Sequence, residues 1–156
     1  MDQELAPSRN TRHRLSLMEG VKILGEANCY AILFADRLIR EDNGKIGLIG
    51  IFERFTAPSL PFVPLPWGIY IAIDNLSPGK HVLTANLVHD ETQAVVYPLA
   101  LNLEQHGPGP IQIPLTVPPL QFPVYGTYSL TVNLDGFQIG SRILHILRPE
   151  SVGGGA

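Results

Sequence analysis

Gly126-Thr127-Tyr128-Ser129-Leu130-Thr131-Val132-Asn133-Leu134 is the stretch from which the fold is read. Its apolar side chains, Tyr128, Leu130, Val132 and Leu134, alternate with Thr127, Ser129, Thr131 and Asn133. A helix turns about 100° per residue and would scatter these side chains around its axis; a pleated strand puts them on one face. One face dry and the other wet is the pattern of antiparallel sheet. Directly after it, Asp135-Gly136 is a turn dipeptide, and Phe137–Leu147 reads as the returning strand of a hairpin.

The same period of two runs outward along the chain. Val95–Leu103 and Ile111–Val117 carry apolar residues at every odd position. Asp42-Asn43-Gly44-Lys45 separates the apolar stretches Cys29–Ile39 and Ile46–Phe55. Asn-Gly suits the two positive φ angles of a type I′ turn, so these stretches predict a long hairpin. Ser77-Pro78-Gly79-Lys80 divides Ile69–Ile73 from Val82–Val88, and His89-Asp90-Glu91-Thr92 joins the middle strands. Gly107-Pro108-Gly109-Pro110 breaks the chain before Ile111. About eight strands with one-sided burial predict an all-β, antiparallel, immunoglobulin-like β-sandwich. Gly126-Thr127-Tyr128, opening the second-last strand, resembles the corner tyrosine of such domains. A single cysteine gives no Cys…Trp…Cys spacing, so an antibody-type domain is excluded.

The sandwich is expected over residues 27–149, as one domain. Residues 1–26, with Arg9, Arg12, His13 and Arg14 close together, are expected to be a flexible or partly helical arm, and 150–156 a flexible glycine-rich tail. The 156 residues are 45% hydrophobic and 16% charged, too apolar for a disordered chain. A net charge of −3 supplies no global field for nucleic acid or anionic lipid, and no apolar run is long enough to span a membrane. Cys29, the sole cysteine, sits in the apolar run Cys29-Tyr30-Ala31-Ile32-Leu33-Phe34 and reads as a small buried hydrophobe. With Asp2 and Glu4 ahead of the basic residues and no apolar core segment after them, a signal peptide is not expected; the expected compartment is the cytoplasm.

Ten of the fourteen prolines fall in two stretches, Pro58–Trp67 and Pro108–Pro123. Proline has no donor for a central ladder, so these are loops or edges. Both are also apolar. Leu60, Phe62, Val63, Leu65, Trp67, Leu120 and Phe122 either plug the open end of the sandwich or present a contact surface to a protein partner or a second copy of the chain.

A search for chemistry returns no constellation. His81 and His89 stand eight residues apart along one strand, about 26 Å, too far to share an ion, and no Cys/His cluster exists. No Gly-x-Ser-x-Gly elbow, Walker loop or dinucleotide fingerprint occurs. Glu41-Asp42 flanks an exposed turn, which offers no desolvated pocket for a general acid. Gly140-Ser141-Arg142 lies mid-strand and predicts a bulge or kink. No catalytic residue, metal ligand or cofactor site is therefore assigned.

The segment Cys29-Tyr-Ala-Ile-Leu-Phe-Ala-Asp-Arg-Leu-Ile-Arg-Glu-Asp-Asn-Gly-Lys-Ile-Gly-Leu-Ile-Gly-Ile-Phe52 resembles the opening of a family of small uncharacterised bacterial proteins. Their N-terminal hairpin carries an aspartate, a charged Gly-Lys turn and a Leu-Ile-Gly-Val/Ile-Phe/Tyr strand. The resemblance covers residues 27–149, loosely through the loop at 58–66, returning at Tyr125-Gly126-Thr127-Tyr128 and ending near Arg148-Pro149. It implies a bacterial cytoplasmic β-sandwich and brings no activity with it.

The expectation is thus a non-enzymatic module working by contact, with an unknown protein partner or as a homo-oligomer, and without nucleic acid, membrane or cofactor. An alternative is a carbohydrate-type ligand module in which Trp67 and Tyr70 stack on a sugar; an unrecognised enzyme is the third.

Overall fold

The computed structural model describes residues 26–107 and 109–150; the expected arm, but for Glu26, and the tail, but for Glu150, lie outside them. Nine strands follow one another: β1 Asn28–Arg40, β2 Ile46–Phe52, β3 Arg54–Thr56, β4 Trp67–Asp74, β5 Gly79–His89, β6 Val95–Gln105, β7 Ile111–Val117, β8 Gly126–Leu134 and β9 Phe137–Leu147. They form a four-stranded sheet ordered β2-β1-β4-β7 and a five-stranded sheet ordered β3-β9-β8-β5-β6. The described residues hold no helix, hence none long and apolar enough to cross a membrane.

Alternation produces the core directly. Ile69, Ile71 and Ile73 of β4 face Leu83, Leu87, Leu130 and Leu144 of the other sheet, all fully buried. In β8, Tyr128, Leu130, Val132 and Leu134 turn inward as the sequence predicts. Tyr128 Oη donates to the Val124 carbonyl at 2.6 Å, four residues back, which is the corner geometry of immunoglobulin-like domains.

The turns refine the reading. Asp135 (φ 50) and Gly136 (φ 89) both take positive φ, making the β8–β9 connection a two-residue type I′ turn. The β1–β2 turn is not type I′. Gly44 N–H donates to Glu41 O and Glu41 N–H to Lys45 O, both at 2.8 Å, and Gly44 alone of its residues has positive φ. That is a three-residue loop whose glycine takes the left-handed position. Ser77–Lys80 joins no hairpin; it carries the chain from one sheet to the other.

The apolar stretch Ile46–Phe55 is two strands rather than one. After Glu53 the chain crosses between sheets, and β3 pairs with β9 in parallel, an exception to the antiparallel plan. A bulge in β1 makes Tyr30 the extra residue between Cys29 and Ala31, so Cys29 and Ile32 both reach the opposite sheet at Gly140. A second bulge shifts the register beside Gly140 itself, between Val132↔Gly140 and Asn133↔Gln138, as the mid-strand glycine predicts. The two prolines inside strands, Pro98 in β6 and Pro114 in β7, both lie on outer strands of their sheets, where a missing donor costs no ladder bond.

Candidate functional site: an apolar tip built from two proline loops

The two proline-rich stretches meet each other. Phe62 N–H donates to Phe122 O at 3.0 Å and Phe122 N–H returns the bond to Phe62 O at 2.8 Å, an isolated antiparallel bridge between loops sixty residues apart. Beneath it lies an aromatic cluster. Phe122 sits 5.1 Å from Tyr128 and 6.1 Å from Phe55, and Phe55 sits 5.6 Å from Phe62 and 5.4 Å from Trp67, centroid to centroid. Most of these pairs are tilted or edge-to-face, the arrangement that ring quadrupoles favour. Tyr125 Oη donates to the Ala57 carbonyl at 2.9 Å, and the Arg148 guanidinium lies 4.5 Å over the Tyr125 ring. Both loops are therefore pinned at several points.

This geometry divides the seven residues singled out in the sequence. Trp67 (3% exposed) and Phe122 (0%) belong to the core, and Phe62 and Leu120 are half-buried against it. Leu60 (37%), Val63 (48%) and Leu65 (85%) point outward, with Val124 exposed beside the second loop. The aromatic residues plug the sandwich, while Leu60, Val63 and Leu65 face solvent. No Lys, Arg, Asp or Glu occurs from Phe55 to Ile73 or from Gln105 to Leu134, so the two loops carry no charge of their own; the charged groups bordering them are Arg148, over Tyr125, and Asp36 and Arg37, which line a shallow pocket with Pro66 and Trp67. The sugar-stacking reading fails here. Trp67 packs edge-on against Phe34, Phe52 and Phe55, and has no open face to offer. Tyr70 is on β4, where its Oη accepts from Gln112 Nε2 at 2.6 Å.

One cluster that no motif announces lies at the other end of β5. His81 Nδ1 is 2.6 Å from Asp135 Oδ2, and His81 Nε2 is 2.8 Å from the Ser77 carbonyl and 3.4 Å from Ser77 Oγ. Serine, histidine and aspartate in that order suggest a nucleophilic triad. The hydrogen bonds argue otherwise. Both ring nitrogens face acceptors, an arrangement that favours the doubly donating imidazolium, a form with no lone pair to take a proton. The Asp135 hydrogen bond, then the Ser77 carbonyl, hold the His81 pKa above its ordinary 6.5. His81, then the Val82 N–H donating to Asp135 Oδ1 at 2.8 Å, hold the Asp135 carboxyl below 3.8. The cluster is an ion-pair clamp tying the β8–β9 turn to β5.

Its pH dependence follows. Stability from a raised histidine is fully present below the unfolded value of 6.5 and is lost as pH rises through the folded value. Stability from a lowered aspartate is present above 3.8 and is lost as pH falls through its folded value. The clamp therefore acts most strongly between pH 3.8 and 6.5. Asp135→Asn keeps an acceptor for Val82 and tolerates the left-handed φ. Urea midpoints should show wild type losing stability from pH 6 to about 8.5 more steeply than Asp135→Asn. Parallel curves would remove the clamp's role.

Cys29 offers no nucleophile either. Burial pushes its thiol pKa up, and Sγ donates to Ala31 O at 3.6 Å. Among the described residues, no group of three His, Cys, Asp or Glu side chains converges to hold a metal ion.

Two sheets, a corner tyrosine and a second-last strand near the centre of the larger sheet define an immunoglobulin-like β-sandwich. Within that class, residues 30–147 match the model of a family of unknown function, DUF6941, and the chain belongs to that family. No curated protein matches it. Among solved structures, it is similar to an alkylpurine DNA glycosylase of Pseudomonas fluorescens bound to DNA containing an abasic-site analogue (10% identity, TM-score 0.47). That match takes 85% of this chain but only 33% of the glycosylase chain. It is also similar to an immunoglobulin-like protein of Pseudomonas aeruginosa (11% identity, TM-score 0.42; 79% of this chain and 98% of that one).

Proposed function

We propose that the protein is a non-catalytic interaction module whose tip docks an apolar, uncharged surface of a protein partner. The observation that carries this is Leu65, 85% exposed on a loop that the Phe62–Phe122 bridge and the aromatic cluster hold in place. An exposed aliphatic residue on a mobile loop means little. One on a fixed loop, flanked by Pro64 and Pro66 and by Val63, offers contact area whose ordering cost is already met by the fold. The loop itself brings no charge to the contact, which keeps the desolvation penalty low. A non-catalytic role is supported by His81, whose two ring nitrogens both face acceptors, and by the half-buried Cys29, whose thiol pKa is raised by burial. A cytoplasmic setting is part of the proposal, supported by a fold that uses no disulfide.

Leu65→Asp puts a charge into the contact without touching the core. Its unfolding free energy should stay within about 0.5 kcal/mol of wild type, as for other exposed positions. In quantitative native pull-downs, proteins retained by wild type should be lost with Leu65→Asp and kept with an equally exposed control, Phe137→Asp, on the β9 turn. An unchanged retained set overturns the proposal.

A further inference from the structure

Beside the His81–Asp135 clamp the sandwich holds an open cleft of about 540 Å³. Ala27, Leu76, Leu134 and Ile139 give it an apolar floor continuous with the core. Phe137 stands at its side and is 76% exposed, more than any other large apolar residue described except Leu65. The chain itself enters the fold through this cleft. Glu26 and Ala27 form part of its wall, and the Glu26 carbonyl accepts from Asn75 Nδ2 at 2.8 Å, which fixes the point of entry. Leu24 precedes that point by two residues and Val21 by five, so at about 3.5 Å per residue they lie within about 7 and 18 Å of it.

We infer that residues 21–24 of this same chain fold back against Phe137 and fill the cleft, as a strap over the clamp. Reach, composition and charge select this occupant. Gly20-Val21-Lys22-Ile23-Leu24-Gly25 is apolar but for Lys22, and Gly25 permits the sharp change of direction that a return over the entry point needs. Val21, Ile23 and Leu24 supply aliphatic groups for an apolar floor and a phenyl ring. Glu26, exposed on the cleft wall, gives Lys22 an opposite charge four residues away. Tethering decides between occupants of similar chemistry. A segment joined to the cleft wall through one glycine is present at an effective concentration of the order of millimolar, above that of a free partner or a second copy. The strap would shield Phe137 from water and hold the β8–β9 turn from its outer side.

Limited trypsin digestion of the full chain, with the cuts resolved by mass spectrometry, tests this. Cleavage of a docked segment tracks the fraction of time it is open. Phe137→Asp and Leu24→Ser should each speed the cut after Lys22 about tenfold, the effect of losing one buried apolar contact. The cut after Arg14, outside the strap, should stay within about twofold and serves as the internal control. Leu24→Ser leaves every residue of the sandwich in place, and Phe137 is exposed on the fold, so both variants stay folded. Leu65→Asp should leave cleavage at Lys22 unchanged, separating the strap from the tip. Protection should also be the same from about 5 to 500 µM protein, since the contact lies within one chain. Equal cleavage at Lys22 in wild type and either variant overturns the inference. So does protection that grows with concentration, which would put a second copy in the cleft.

Discussion

Phe122→Ala should lower the free energy of unfolding by about 4 kcal/mol, a large part of the roughly 5–15 that holds a domain of this size together. Phe122 is fully buried, yet it lies in a loop, outside every strand. Its ring meets Phe55, Phe62 and Tyr128, which belong to β3, the first proline loop and β8. Truncation loses the transfer energy of the ring and leaves a cavity that four separate segments would have to close. Relaxation is hampered because the Phe62–Phe122 backbone bridge fixes one wall and the Tyr128 corner bond fixes another. Trp67, the sole tryptophan, packs on Phe55 at the edge of this cluster and reports on it directly. Urea denaturation followed by Trp67 fluorescence should give the loss. Leu65→Ala, on the same loops but facing water, should cost under about 0.5 kcal/mol. If Phe122→Ala costs under about 1 kcal/mol, the loops are not clamped through this ring, and the fixed tip loses its physical basis.

That contrast also marks how far the sequence could be read. Alternation in β8 names the buried set of that strand in full, because a central strand of a half-wet sheet has one period and one answer. Asp135-Gly136 announces its turn because two consecutive positive φ angles admit few residues. β3 is not legible. Three residues hold no period, and its partner, β9, lies about ninety positions away. The proline loops stand out in the sequence as apolar, but not which residue faces which way. Phe62 and Val63 are both hydrophobic; the bridge to Phe122 decides that one is half-buried and the other exposed. His81 and Asp135 are 54 apart in sequence, and their meeting depends on β8 lying between β5 and β9. That β2 is an outer strand is likewise invisible, since an uncharged strand reads the same at the edge of a sheet as inside it.

Gly126→Ala should cost about 3 kcal/mol, and two causes act in the same direction. Gly126 has a φ of +130, a region in which side chains are strained by about 1–3 kcal/mol. An added Cβ would also stand 2.8 Å from Nε2 of His89, a buried side chain with a defined set of bonds. His89 Nδ1 accepts from the Thr92 N–H at 3.2 Å, which leaves Nε2 to donate to the Tyr125 carbonyl at 3.2 Å. The ring thus ties the β5–β6 turn to the approach to β8, at Tyr125, one residue before the glycine and inside the Val124–Tyr128 span that the corner bond closes. Pushing it aside leaves the Tyr125 carbonyl unpaired and disturbs the edge-to-face contact of His89 with Tyr128 at 4.8 Å. A double-mutant cycle separates the two causes. With His89→Ala already in place the collision is gone, so Gly126→Ala should then cost only the backbone strain, about 1–2 kcal/mol. Equal cost in both backgrounds would mean that backbone conformation alone reserves position 126 for glycine, and that the histidine merely occupies the space left free.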